Sequence, residues 1–208
     1  MIGLCGAQRT GKSTLAEAFA QSAGIPYLAT TASGVFEMLD LDPKVEYPFE
    51  TRMMIQEVIL QMFESQYEEM TRQSAFFIAD RTPIDLASYA LADVTRATLV
   101  GRPELALALG KYVQRCLKST SRFFTLVVLV QPGIPLVEAP GKAAACPAYM
   151  DHLNDLQVGI LQRDESIVRS IRIPRGMLDL QERKQFVASA LGACAETQYV
   201  LKKSASFH

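Results

Sequence analysis

Apolar residues along this chain recur with two alternating periods. Short, nearly unbroken runs read as buried strands: Ile2 to Cys5, Ile25 to Ala29, Phe76 to Ala79, Phe123 to Val130 and Val168 to Ile173. A strand covered on both faces carries apolar side chains at consecutive positions, whereas a half-exposed strand alternates. Between these runs the spacing changes to i, i+3, i+4. Leu15, Ala18 and Phe19 follow the first run and stop at Gly24. Met54, Ile55, Val58, Ile59, Met62, Phe63 and Met70 stripe a long helix over 51–73. Further helices are predicted from 83 to about Val94, over 104–119, over 149–162, and from an Asp179–Glu182 capping box through Leu191. Val35 to Leu41 reads as a short helix or turn, and 42–48 as a loop broken by prolines. Strands alternating with helices in this way predict an α/β fold around a parallel sheet.

The first connection carries the most specific chemistry. Gly6-Ala-Gln-Arg-Thr-Gly-Lys-Ser13 spells GxxxxGK[ST] between a strand and a helix, the context that a phosphate-binding loop requires. Glycines at both ends let successive backbone N–H groups converge on phosphate oxygens, at the positive end of the helix that follows. Lys12 is placed to reach the β- and γ-phosphates, Ser13 to put its hydroxyl on Mg²⁺, and the amides of Gln8 to Thr14 to hold the β-phosphate. Arg9, inside the loop, either touches phosphate or points to solvent.

The run Phe76 to Ala79 ends in Asp80-Arg81. A parallel strand delivers its last residue to the edge of the sheet where ligands gather, so Asp80 is expected beside the loop. There it could complete a magnesium shell or accept a proton from an attacking hydroxyl. Arg81 could bind an acceptor phosphate or neutralise the transferring group. Thr82-Pro-Ile-Asp85 is a helix start, which makes the expected role of Asp85 structural. Tyr89 either lines a base pocket or packs. Arg52 stands in the first turn of its helix, where a cation opposes the dipole, so an anionic ligand or plain exposure must account for it. The polar run Thr30 to Ser33 is expected either to meet a substrate or to form a capped turn. Residues 132–148, rich in proline and alanine around the single cation Lys142, fit an active-site lid. Arg175 and Gly176, in the turn after the last strand, are candidates for contact with a nucleotide base.

Composition adds limits. At 208 residues the chain suits one domain, and 49% hydrophobic with 21% charged residues and a net charge of −1 is ordinary globular composition. No basic excess marks a nucleic-acid binder, and no apolar run approaches a membrane span. Four cysteines without CxxC spacing fit reduced thiols in a cytoplasm, with no leader to be cleaved. Two histidines rule out a histidine-rich metal site.

The loop at 6–14 and the Asp80-Arg81 pair together resemble the nucleoside and nucleotide kinase group of P-loop phosphotransferases. Thymidylate kinases carry Asp-Arg, and deoxynucleoside kinases Glu-Arg, at that strand end. The stretch Asp80 to Asp85 is also similar to ribosylnicotinamide-kinase-like proteins and viral kinases. The resemblance implies a three-layer P-loop NTPase fold with a five-stranded parallel sheet, a magnesium-ATP donor, and a small nucleoside or nucleotide acceptor near Asp80, Arg81 and Arg52. A kinase acting on a hydroxymethylated pyrimidine in DNA and a non-kinase NTPase remain the alternatives. Lids in this group usually offer several arginines, whereas 132–148 offers only Lys142, leaving Arg163, Arg169 or Arg122 to serve.

Overall fold

The computed structural model describes residues 1–42, 45–136, 146–163 and 168–205. Five strands, β1 (Ile2–Cys5), β2 (Tyr27–Leu28), β3 (Ile78–Ala79), β4 (Leu126–Val130) and β5 (Arg169–Ile173), form one parallel sheet in the order β2-β3-β1-β4-β5. Helices α1 (Lys12–Ala23), α2 (Ser33–Met38), α3 (Phe49–Gln73), α4 (Pro83–Ala92), α5 (Arg96–Leu99), α6 (Pro103–Phe123), α7 (Pro147–Leu161) and α8 (Leu180–Ala205) make the connections.

The strands alternate between two cores, as the period of two requires. Ile2 and Leu4 of β1 and Leu126, Val128 and Val130 of β4 pack with Leu15, Phe19 and Val187, under α1 and α8. Cys5, Ala79, Val127 and Leu129 face the other way, onto Ile59, Phe63, Tyr67, Ile84 and Cys116 of α3, α4 and α6. The result is the expected three-layer architecture with β1, β3 and β4 buried on both faces, whereas the edge strand β5 is largely exposed, with only Ile173 buried.

Several boundaries differ from the sequence reading. Phe123 and Phe124 were expected to open β4, but Phe123 is the last residue of α6 and Phe124 its cap, both buried against the ring of Tyr67. An apolar doublet satisfies burial from either element, and here the helical register of α6 prevails. The last helix continues to Ala205 instead of ending at Leu191, because the alanine-rich stretch beyond favours helix more than Gly192 opposes it. Arg96–Leu99 is helical where no element was expected. The proposed lid falls mostly in 137–145, outside the described residues, and so does Lys142.

Register explains how the site assembles. Ile2 and Gly3 of β1 pair with Ile78 and Ala79 of β3, so the two chains leave the sheet side by side at the same edge. The loop after Cys5 and the acid after Ala79 are therefore neighbours. β1 connects across β3 to β2, while β3 connects back across β1 to β4; such a reversal opens a crevice at the strand ends.

Candidate active site at the sheet edge

The loop between β1 and α1 has the backbone that its glycines permit. Gly6 has φ 152° and Gly11 φ 85°, and a Cβ on Gly6 would lie 2.4 Å from the carbonyl oxygen of Val130. Arg9 also takes a left-handed conformation, at φ 62°, which is costly for a residue with a side chain and is found most often at functional sites. Thr10, fully buried, donates its hydroxyl to the carbonyl of Ala7 at 3.0 Å and closes the curve.

Lys12 reaches back over the loop and donates to the carbonyls of Gly6 and Ala7, both at 2.7 Å. Burial lowers the proton affinity of its ammonium, the nearby Asp85 carboxylate opposes that shift, and the Arg81 guanidinium adds to it. Among the described residues no salt bridge joins a carboxylate to Arg81, whose charge is felt at Lys12 and at Asp85. Arg81 is held by its backbone: the buried Tyr67 of α3 donates its hydroxyl to the Arg81 carbonyl at 3.0 Å.

Asp80 is the hub. Its Oδ2 accepts the hydroxyls of Ser13 at 2.6 Å and Tyr27 at 2.9 Å, and its Oδ1 accepts the amide of Thr30 at 3.0 Å and the hydroxyl of Thr30 at 2.8 Å. An ionised carboxylate offers about four lone-pair positions, and four donors occupy them. Burial, reinforced by the hydrogen bond to Asp80, pushes the Tyr27 phenol up to about 12, so it remains a donor. The polar run after β2 thus turns its first residue onto Asp80.

Asp85 closes the predicted capping box, accepting the amide of Thr82 at 2.9 Å, and it also accepts the amide of Gly6 at 3.0 Å. Gln157 of α7 donates toward the same carboxylate at 3.4 Å and to Ser88 at 3.1 Å. Burial raises the Asp85 carboxyl above its ordinary value against the pull of Lys12.

Tyr89 donates to Gln8 of the loop at 3.4 Å. Arg52 lies further out, paired with Asp93 at 3.2 Å beyond the end of α4. On the other flank, Pro132, Gly133, Ile134 and Leu136 face Met150, Asp151, Arg175 and Gly176 across a cleft of about 460 Å³. Gly133 packs directly on the backbone of Arg175, and the Ile134 side chain comes within contact of Gly11. Arg175 itself pairs with Asp151 at 2.6 Å.

Of the cations considered as substitutes for lid arginines, Arg122 precedes β4 and Arg169 opens β5, at the amino-terminal edge opposite the loop. Arg122 pairs there with Glu68 at 2.9 Å. Arg163 lies in the link leading into that same end of β5. The parallel direction of the strands takes all three away from the site.

The residues that sequence reasoning missed are Tyr27, Thr30 as a partner of Asp80, Gln157, the Asp85–Gly6 link, and Arg183, which donates to the Thr10 carbonyl at 3.1 Å. Only Thr30 carried a signal, as a polar residue just beyond a strand.

The fold is shared with known kinases of small metabolites. The deoxyadenosine kinase of M. mycoides with bound dATP superposes with a TM-score of 0.59 at 16% identity, covering 92% of this chain and 98% of that one. The same enzyme with the products dCMP and a flexible dCDP gives 0.58 at 16% identity, with the same shares covered. The YorR protein of Bacillus subtilis, in complex with phosphorylated GDP, gives 0.52 at 12% identity, covering 92% and 95%. No curated protein sequence matches significantly. Among the described residues no helix is long and apolar enough to cross a membrane. A family profile described as an AAA domain matches residues 1–120, a span that holds the loop, Asp80, Arg81 and Asp85. With more than half of its length matched, and with the fold of the P-loop nucleoside and nucleotide kinases, the chain belongs to this AAA domain family (AAA_28).

Proposed function

We propose that the protein is a P-loop kinase that moves the γ-phosphoryl group of ATP to a nucleoside or nucleoside monophosphate. The observation that carries this reading is the 2.6 Å hydrogen bond from Ser13 to Asp80, which sets the acid of β3 at the mouth of the phosphate loop. Lys12 feels a second cation, Arg81, and the buried Asp85 carboxylate offsets part of that charge, which supports a site for a phosphate.

In this reading the amides from Gln8 to Thr14 cradle the β-phosphate, and Lys12 turns a donor toward the β- and γ-oxygens. The Ser13 proton is committed to Asp80, so the hydroxyl lone pairs face outward, as a cation ligand needs. Ser13 and Asp80 are oxygen donors of the hard type that magnesium takes together with substrate phosphates. Bound there, magnesium would neutralise charge on the transferring group. With four donors already on its oxygens, Asp80 suits orienting Ser13, and through it the shell of a magnesium ion, better than binding the ion directly or abstracting a proton. A loose transition state needs little base catalysis in any case, because positioning and charge do most of the work. Arg81 meets the acceptor or the transferring phosphoryl group.

The cleft between Ile134 and Arg175–Gly176 takes the donor base, of the size common for small-molecule sites. Gln8, Tyr89 and the Arg52–Asp93 pair form the acceptor side; Lys142, outside the described residues, is the cation that the sequence of 132–148 offers for the transferring group. The whole chain, 1–208, acts as one kinase domain. Its four free thiols, two of them buried, support a cytoplasmic location. The fold likeness to a deoxyadenosine kinase with bound dATP or dCMP, and to the YorR protein with phosphorylated GDP, supports a nucleotide-handling site.

The test is incubation with γ-labelled ATP and magnesium against a panel of nucleosides, nucleoside monophosphates and hydroxymethylated DNA. Label on a small nucleoside or nucleotide is the expected result. Label on DNA alone, or release only as inorganic phosphate whatever acceptor is supplied, overturns the choice of acceptor or of reaction.

A further inference from the structure

One buried cation near the loop has no part in the chemistry above. Arg183 lies in the first turn of α8, only 3% exposed. A cation in that position opposes the helix dipole, and burial without a counter-charge is expensive. Among the described residues no carboxylate pairs with it. Its hydrogen bonds go to two backbone carbonyls instead: Nε donates to Met177 at 2.6 Å and Nη1 to Thr10 at 3.1 Å, while Nη2 is buried without a partner. Nη1 also lies 3.4 Å from the place a Cβ would take on Gly11.

These two carbonyls belong to different halves of the donor site. Thr10 is in the phosphate loop, and Met177 is in the turn that carries Arg175 and Gly176 along the cleft. Resting on the reading of the loop as the grip for ATP, we propose that Arg183 is a positioning residue for that grip. It pins the Thr10–Gly11 turn to the turn after β5 and holds a buried positive charge behind the loop, which the polyphosphate of the donor compensates.

The guanidinium suits this task because its planar fork serves two carbonyls in fixed directions at once, whereas an ammonium on the same stem is a point charge. A carbonyl oxygen does not bind phosphate, so a hydrogen bond to that of Thr10 constrains the turn without competing with the loop amides for the ligand. Since the donor is bound in the ground state and the transition state alike, the effect belongs in KM rather than in kcat.

The experiment uses the full chain as wild type, Arg183→Gln, Arg183→Lys and Arg183→Ala. Calorimetric titration with MgATP and with magnesium tripolyphosphate is combined with steady-state kinetics and urea unfolding. Arg183→Gln is expected to weaken both ligands about tenfold and to raise KM for ATP by a similar factor, with kcat within about twofold. Arg183→Lys is expected to lie between, and millimolar methylguanidinium is expected to restore part of the affinity of Arg183→Ala. A structural role alone would lower stability without splitting KM from kcat and without rescue.

If wild type binds MgATP and Arg183→Gln binds it within twofold, the proposal is overturned while the donor reading stands. If wild type itself fails to bind MgATP, the donor reading fails first. Should Arg183→Gln not fold, the lysine variant and the rescue of the alanine variant decide: wild-type affinity in the first, or no rescue in the second, counts against the proposal.

Discussion

The amide of Gly6 donates to the carboxylate of Asp85, 79 positions further along the chain, at 3.0 Å. The same carboxylate caps α4 through the amide of Thr82. One buried acid therefore ties the start of the phosphate loop to the helix that follows β3, and its charge is felt by Lys12 and Arg81. Replacing it by asparagine puts an N–H where one of two amide donors needs an acceptor. Asp85→Asn is expected to cost about 2–4 kcal/mol of stability, read by urea unfolding, because the group is buried and its donors are left facing a donor.

Asp85 also gives stability a pH dependence of definite sign. Burial holds its carboxyl above the ordinary 3.8, so the folded state binds the proton more tightly than the unfolded chain does. Its contribution is therefore fully present below about 3.8 and declines as pH rises through the folded value. The stability of wild type minus that of Asp85→Asn is expected to fall as pH rises from about 4 through the folded value of the carboxyl and to level off above it, measured by urea unfolding at each pH. A difference that is flat or rises with pH contradicts this.

Asp80→Asn tests the hub. The amide can accept on one side only, so either the hydroxyls of Ser13 and Tyr27 or the amide and hydroxyl of Thr30 meet a donor. Phosphoryl transfer is expected to fall at least about a hundredfold with ATP binding retained. Tyr27→Phe leaves Ser13 in place on the same oxygen and is expected to lower transfer less than about tenfold, a cost near 1 kcal/mol.

How much of this was legible in the sequence follows from how local each signal is. The loop was readable because strand, glycines, lysine and helix lie within one short stretch, and the placement of Asp80 followed because parallel neighbours share an edge. Tyr27, Gln157 and Arg183 were not readable. Each reaches the site from an element whose distance along the chain says nothing of its distance in space, and nothing in their local pattern separates them from ordinary packing residues. The Phe123–Phe124 doublet shows the complementary failure: apolar character signals burial, and only the register of the preceding helix decides which element supplies it.

Gly133 marks a contact that composition concealed among prolines. A Cβ there would lie 2.1 Å from the carbonyl oxygen of Arg175, a backbone atom that cannot turn aside. Gly133→Ala is expected to force the segment after β4 away from the turn after β5, costing about 1–3 kcal/mol and weakening ATP more than tripolyphosphate. Parallel titrations with the two ligands separate the base cleft from the loop.

The central claim is that the amino-terminal loop grips a triphosphate whose terminal phosphorus lies beside Asp80. A crystal structure with magnesium and a non-hydrolysable ATP analogue tests it most directly. The account predicts the β-phosphate within the amides of Gln8 to Thr14, the metal against Ser13 on the Asp80 side, and the base between Ile134 and Arg175. An analogue bound at the amino-terminal edge of the sheet, or phosphates turned away from Asp80, would contradict it.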